Sequence, residues 1–325
     1  MITPAAAPRF LLVLLFLAGL SLLLGLALGS QPLSLLQVTR TLVGQGEPLH
    51  QLLVLELRLP RVLGAFAIGG LLALAGCLMQ VLLRNPLADP YILGLSGGAA
   101  TAALLAMLLG VTWITGAAFM GALLSTLLVF GLARGHQGWT PTRLLLTGVV
   151  LAAGWGALIS FILATAPVAG LPGMLFWLMG DLSRLQHSGF LWGLLILSVL
   201  LMLPLGRSLN LLSRGALQAA ALGLAVRPLE WLIYLLAALM TATAVAHAGS
   251  IGFVGLIVPH AMRLLIGGDH RMVIPASVLG GGILLVLADT LARILIAPQQ
   301  LPVGVITALL GVPIFLWLLY RSRNL

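Results

Sequence analysis

Long runs without a charged residue, separated by short polar punctuation, organise this sequence from end to end. About 20 apolar residues at about 1.5 Å rise cross a hydrocarbon layer roughly 30 Å thick. Runs near that length predict about ten spans: Phe10 to Gly29, Val62 to Leu82, Ile92 to Leu109, Thr115 to Ala133, Leu144 to Thr165, Phe190 to Leu205, Trp231 to His247, Ile251 to Leu265, Met272 to Ile294 and Pro302 to Tyr320. The neutral runs Pro90 to Ala133 and Trp231 to Met262 exceed one crossing. Gly110 and Gly116 in the first, and Gly249 and Gly252 in the second, offer tight reversals, so each run is read as two helices. Arg9 before a long apolar stretch ending in small residues also fits a secretory signal, but a stretch this long favours a retained helix.

Composition agrees with a chain built from spans. Hydrophobic residues make up 61% and charged residues 7%, and the mean hydropathy is +1.18, which excludes a soluble domain with an ordinary core. We read the whole chain, 1–325, as one transmembrane domain. A net charge of +9 points to nucleic acid in a soluble protein, but here the basic residues stand singly between apolar spans, a topological pattern. Counted on alternate sides, Arg9, Arg84, Arg134, Arg143, Arg207, Arg214, Arg227, Arg263, Arg271, Arg321 and Arg323 share one face. Arg40, Arg58, Arg61, Arg184 and Arg293 share the other. The richer face is expected to be cytoplasmic and to hold both termini, which requires an even number of crossings. All 16 basic residues are arginine, so the chain has no Gly-x-x-x-x-Gly-Lys-Ser/Thr phosphate loop, and ATP hydrolysis must come from another chain. The single cysteine, Cys77, lies mid-span and reads as a small apolar packer.

Three signatures stand out from the apolar background. Arg58-Leu-Pro-Arg61 and Arg84-Asn-Pro-Leu-Ala-Asp-Pro90 bracket a charge-free span and so lie on opposite faces. In the first, Arg58 and Arg61 share a helical face, and Pro60 sits where a first turn tolerates a missing N–H. The second runs Gly249-Ser-Ile-Gly-Phe-Val-Gly-Leu-Ile-Val-Pro-His260, with Pro259 expected to end or kink its helix near the cytoplasm. The third is Ala288-Asp-Thr-Leu-Ala-Arg293 with Leu301-Pro-Val-Gly-Val-Ile-Thr307. Ordered and spaced over about Leu57 to Tyr320, they resemble the permease subunits of the FecCD family. These belong to the ATP-driven ABC importers of ferric siderophores, haem and cobalamin.

That resemblance implies an all-α polytopic membrane protein with about ten transmembrane helices per protomer. It implies a homodimer with its pathway on the two-fold axis and no cofactor or resident metal. Two ABC ATPase subunits would lie on the cytoplasmic side of a bacterial inner membrane, and a periplasmic or extracellular substrate-binding protein on the other. Arg58, Arg61 and Arg293 match the arginines that dock the binding protein; the bland alternative is that they mark an interface and satisfy Glu56 or Asp289. Asn85 and Leu87 match a cytoplasmic gate, as does the Thr140-Pro-Thr142 segment, although Pro141 departs from the pattern. There, Thr140 as N-cap with Pro141 at the first helical position is an equal alternative. Ser213, Arg214, Gly215, Ala216, Leu217 and Gly223 fall in the segment where the family places short helices that couple to the ATPase. Ala216 stands where most members carry an acid, and a loop helix without a partner is the alternative. Phe176 to Ser183 resembles the outer vestibule that receives cargo.

The histidines carry no metal-site spacing. His50, His136 and His270 are expected in loops, His187 after the outer loop, and His247 and His260 near opposite ends of adjacent spans. An ion-coupled secondary transporter remains the alternative function, but it needs carboxylates near the bilayer midplane, and all seven acidic residues fall in loops or near span ends. An intramembrane enzyme needs a nucleophile with its base or a metal set, and neither is present.

Overall fold

A computed structural model of the chain describes residues 7–133, 140–185 and 187–322. Arg134, His136 and Arg323 lie outside the described residues. The order of elements is α1 Ala7–Ala27, α2 Leu35–Leu42, α3 Pro48–Gln51, a π-helical segment Leu52–Arg58, α4 Leu59–Leu82, a 3₁₀ turn Pro90–Leu93, α5 Leu95–Leu108, α6 Ile114–Ala133, α7 Pro141–Thr165 and α8 Leu171–Leu178. It continues with α9 Gly189–Met202, α10 Gly206–Ser213, α11 Ala216–Ala221, α12 Val226–Ala248, α13 Val254–Ile266, α14 His270–Ile294 and α15 Val303–Ser322.

Ten of these helices, α1, α4, α5, α6, α7, α9, α12, α13, α14 and α15, follow the ten predicted spans in order. Three, α5, α9 and α13, are shorter than expected, and for α5 and α13 the physical reason is local. Before α5, the Asp89-Pro90 pair and a left-handed Gly94 stop regular helix; before α13, Gly249 and Phe253 both take positive φ, +68° and +70°. The reversals fall at Gly110 and Gly249, as expected. Gly116 is helical, and Phe253 rather than Gly252 takes the left-handed conformation. The two breaks meet where the Tyr91 hydroxyl accepts a hydrogen bond from the Ile251 amide at 3.2 Å.

The molecule is built around α4. Its most apolar stretch is 94% buried, against 11% for α7. Helices α1, α9, α12, α13 and α14 pack on it. Small residues allow this crowding, because lipid tails supply no hydrophobic drive between helices and close van der Waals contact must supply it instead. At Gly69 and Gly281, where α4 crosses α14, each position's missing Cβ would overlap the other's carbonyl oxygen. At Gly76, where α4 crosses α13, a Cβ would overlap the carbonyl oxygen of Gly255. The carbonyl of Gly255 would, in a regular helix, accept from residue 259, which is Pro259 and has no N–H. The oxygen released by the proline is thus packed on the α4 backbone, and α13 continues to Ile266. The expectation that Pro259 ends its helix is corrected accordingly.

Replacement of Gly76 by Ala drives a methyl into backbone that cannot rotate away, so a loss of about 1–3 kcal/mol or more is expected. Gly19, which has nothing within 4 Å, is the control. Thermal unfolding of the purified variants should show Gly76→Ala well below the parent and Gly19→Ala unchanged or higher.

Candidate functional site

The arginine-poor face gathers the first signature. Pro48 to Leu82 runs as one helical rod of 35 residues, so the reading of Pro60 as a helix start is corrected. The π register just before it explains how the proline is tolerated. Leu59 donates to the Val54 carbonyl five residues back, and the wider turn accommodates a ring that would clash with the carbonyl four residues back in an α-helix.

As docking residues Arg58 and Arg61 are expected to face solvent, and Arg293 to lie at the interface. Instead they are 7%, 9% and 5% exposed. Asp289, 1% exposed, holds two of them. Arg61 donates to Asp289 Oδ1 through Nε at 3.0 Å and through Nη2 at 2.8 Å, and its Nη1 donates to Gln300 at 2.8 Å. Arg293 Nε lies 3.1 Å from Asp289 Oδ2, with its N–H aimed elsewhere. The remaining donors go to the end of α1. Arg293 reaches the carbonyls of Leu28 and Gly25 at 3.2 and 3.0 Å. Arg58 reaches those of Leu26 and Ala27 at 2.7 and 3.0 Å, and also that of Gln31. A helix's last carbonyls have no intrahelical donors and carry its negative pole, so two guanidiniums there cap α1 from other helices. The interface alternative stands with Asp289 as partner; among the described residues no ion pair reaches Glu56. Two guanidiniums pair with the one carboxylate and the third, Arg58, bonds only to carbonyls, which leaves a surplus of two positive charges in this cluster.

On the opposite face the second half of the signature forms two consecutive Asx turns. Asn85 Oδ1 accepts from the Leu87 amide at 2.9 Å, and Asp89 Oδ1 from the Tyr91 amide at 2.8 Å. Each acceptor is followed by a proline, which cannot continue the helix. Arg84, at φ +50°, closes α4. Asn85 and Leu87 are half-buried in this turn, and Thr140 and Thr142 are exposed at the start of α7. Thr140 Oγ1 accepts from the Arg143 amide at 3.4 Å, the capping alternative. The 3₁₀ turn packs on α7, but among the described residues no hydrogen bond joins Asn85 or Leu87 to either threonine.

Beyond the same face, α10 bends 70° from α9 and leads to α11. Ser213, Arg214, Gly215, Ala216, Leu217 and Gly223 occupy this helix pair and its turns, as expected. Gly215 takes φ +129° and Gly223 φ +84°, conformations that admit little but glycine. Leu217 is 89% and Leu222 69% exposed. Asn210, which sequence reasoning passed over, ties the pair to the α13–α14 turn. It donates to Asp269 Oδ1 at 2.8 Å and accepts from the His270 amide at 2.9 Å. The Asn210 bond, with those from the Arg271 amide and charge, holds Asp269 below the usual carboxylate range. His270 is the buried first residue of α14, so its assignment to a loop is corrected.

The family model of the FecCD transport family matches residues 13–321. The chain belongs to the FecCD transport family. Among its relatives, the vitamin B12 import system permease protein BtuC of Vibrio cholerae is 42% identical over 282 residues, covering 85% of this chain and 85% of that one. The Fe(3+) dicitrate transport system permease protein FecD of Escherichia coli is 42% identical, covering 84% and 87%. The hemin transport system permease protein HmuU of Yersinia pestis is 42% identical, covering 83% and 84%. A solved chain, described as an inward-facing conformation of a transporter assigned to the metal-chelate ABC type, superposes with a TM-score of 0.86 at 33% identity. The match covers 97% of this chain and 99% of that one. The FecCD protein described here is therefore a multi-pass membrane permease of an ABC importer.

Asp89 gives the Asx-turn segment a pH dependence. Burial raises its carboxyl from 3.8 to about 6 against the opposing pull of the Tyr91 amide. The folded state then binds more protons than the unfolded one between these values, so stability falls as pH rises from about 4 through about 6. Asp89→Asn keeps the oxygen that accepts from Tyr91 and removes the charge. Its melting temperature should match the parent at pH 4 and exceed it above pH 6.5, read by thermal unfolding across pH.

Proposed function

We propose that two copies of this permease enclose a pathway on a shared two-fold axis in a bacterial cytoplasmic membrane, with both termini inside. In this reading two separate ATPase subunits engage the α10–α11 face, and a substrate-binding protein engages the opposite one. The cargo is a bulky iron chelate, haem or cobalamin, in line with the substrates for which the relatives are named.

The observation that carries this reading is the α10–α11 pair. Two leucines, at 89% and 69% exposure, project from a glycine-bounded helix beyond the spans. Large apolar side chains outside the bilayer need a protein partner. The polar ties of Asn210 to the α13–α14 turn give that partner a rigid lever on α14. Asn85 and Leu87, with Thr140 and Thr142, form the cytoplasmic gate in this reading. At the other face Arg58, Arg61 and Arg293 act on an acidic binding protein through the field of their surplus charge. Their guanidiniums are already bonded within the fold, so the attraction steers association more than it forms contact pairs.

Reconstitution with a cognate ATPase tests the assembly. The lone chain should hydrolyse no ATP. Leu217→Glu with Leu222→Glu should abolish co-purification of the ATPase while leaving thermal unfolding unchanged, since both side chains touch little. Undiminished ATPase binding by the double variant would move the coupling surface elsewhere, and hydrolysis by the lone chain, free of contaminants, would refute the assignment of ATP chemistry to a partner.

A further inference from the structure

On the arginine-poor face the start of α6 and the end of α12 meet α8 and the segment that leads from it to α9. They enclose a cavity of about 360 Å³, a headgroup-sized volume at the low end of ligand pockets. Its walls carry both signs of charge and two indoles. Arg184 is exposed and makes no ion pair or hydrogen bond among the described residues. Thr115 adds a hydroxyl in the first turn of α6, a helix of 20 residues whose positive pole ends here. These two favour an anion.

The other wall favours a cation. Asp181 is fixed in place, because its amide donates to the Ala248 carbonyl at 2.8 Å and its carboxylate accepts from the Ser183 amide and hydroxyl, both at 2.7 Å. A carboxylate has about four lone-pair directions, so two remain open. Trp113 and Trp177 supply aromatic faces of the kind that attract ammonium groups. His247 adds an acceptor. Its Nδ1 faces the Thr243 carbonyl at 2.8 Å, which can only accept, so Nδ1 carries a hydrogen, and Nε2 is the acceptor of the neutral ring.

The surroundings identify the carrier of these charges. Trp113 is 71% exposed at a span end, as interfacial tryptophans are. Below the cavity Met120, Leu124 and Leu127, spaced i, i+4, i+7, are 59%, 52% and 69% exposed and form an apolar stripe down α6. We propose that this cavity binds the headgroup of a zwitterionic phospholipid, phosphate toward Arg184 and ammonium toward Asp181 and the tryptophans, with acyl chains along the α6 stripe. Trp177 and Asp181 come from the segment that resembles the outer vestibule, but lipid retention is read without cargo or ATPase, so its outcome is separable from that of the transport reading.

Native mass spectrometry of the full chain, released from membranes of equal phosphatidylethanolamine and phosphatidylglycerol, tests it. The parent should retain phosphatidylethanolamine in preference to phosphatidylglycerol. Losing a charge-assisted contact corresponds to about a tenfold change, so Arg184→Ala should lower phosphatidylethanolamine retention about tenfold. Asp181→Asn, which keeps an acceptor for Ser183, should leave total phospholipid retention and abolish the preference. Arg184 is exposed, so its variant should fold, and matched thermal unfolding checks this. Parent-like retention in Arg184→Ala, or a preference that survives Asp181→Asn, overturns the proposal. Displacement of the lipid by millimolar water-soluble O-phosphoethanolamine also overturns it, by making the occupant a soluble ligand.

Discussion

One buried carboxylate holds the arginine-poor end of this protein together. Asp289 stands on the last turns of α14, meets Arg61 at the top of α4 and Arg293 one turn further along its own helix. Charges taken out of water are costly unless they are paired and fully hydrogen-bonded. Apart from the Arg293 Nε, the surplus arginine donors approach that condition by turning to the carbonyls that end α1. Three helices that share no loop are joined in this way, and each partner answers a need of the other: α1 has carbonyls without donors, and α4 and α14 have donors without enough carboxylates.

With this end fixed, α4 can serve as the axis on which the other helices lean. Its glycines bring the backbones of α13 and α14 into direct contact, and Pro259 supplies one of the contacting oxygens. At the far end the helix breaks into the two Asx turns, which pack on α7 and bond to the α12–α13 break through Tyr91. Arginines, glycine crossings and the proline turns are therefore parts of one column across the membrane. In the proposed transport cycle, motion delivered at α10 and α11 enters through the Asn210 tie to the base of α14, whose other end carries Asp289.

The sequence made the spans legible because an uncharged run of that length has few other uses, and it made the inner break legible because Asn-Pro and Asp-Pro stop helix by local chemistry. It also carried the family, through ordered motifs that composition alone does not contain. Tertiary facts were not legible. Arg58 and Arg61 read as solvent-facing because nothing local reveals that the end of α1 lies beside them. Pro60 read as a helix start because the π turn that absorbs it leaves no composition cue. Asn210 went unnoticed, being one amide in a polar segment, and the cavity at Arg184 draws its walls from loops more than sixty residues apart. His270 and Asp269 form a polar turn in sequence, yet His270 is buried because Asn210 folds over it.

The claim that most of this depends on is that Asp289 and Arg61 are a coupled structural pair whose separation leaves a buried charge. The most direct measurement is a double-mutant cycle on unfolding of the purified permease, with Asp289→Asn, Arg61→Gln and the two together. Breaking a buried pair from one side costs about 3–5 kcal/mol, much of it from the charge left behind. The account predicts that the double variant is markedly less destabilised than the sum of the single ones, with a coupling of at least about 1 kcal/mol. Additive losses would show that the two residues act independently, and would contradict it.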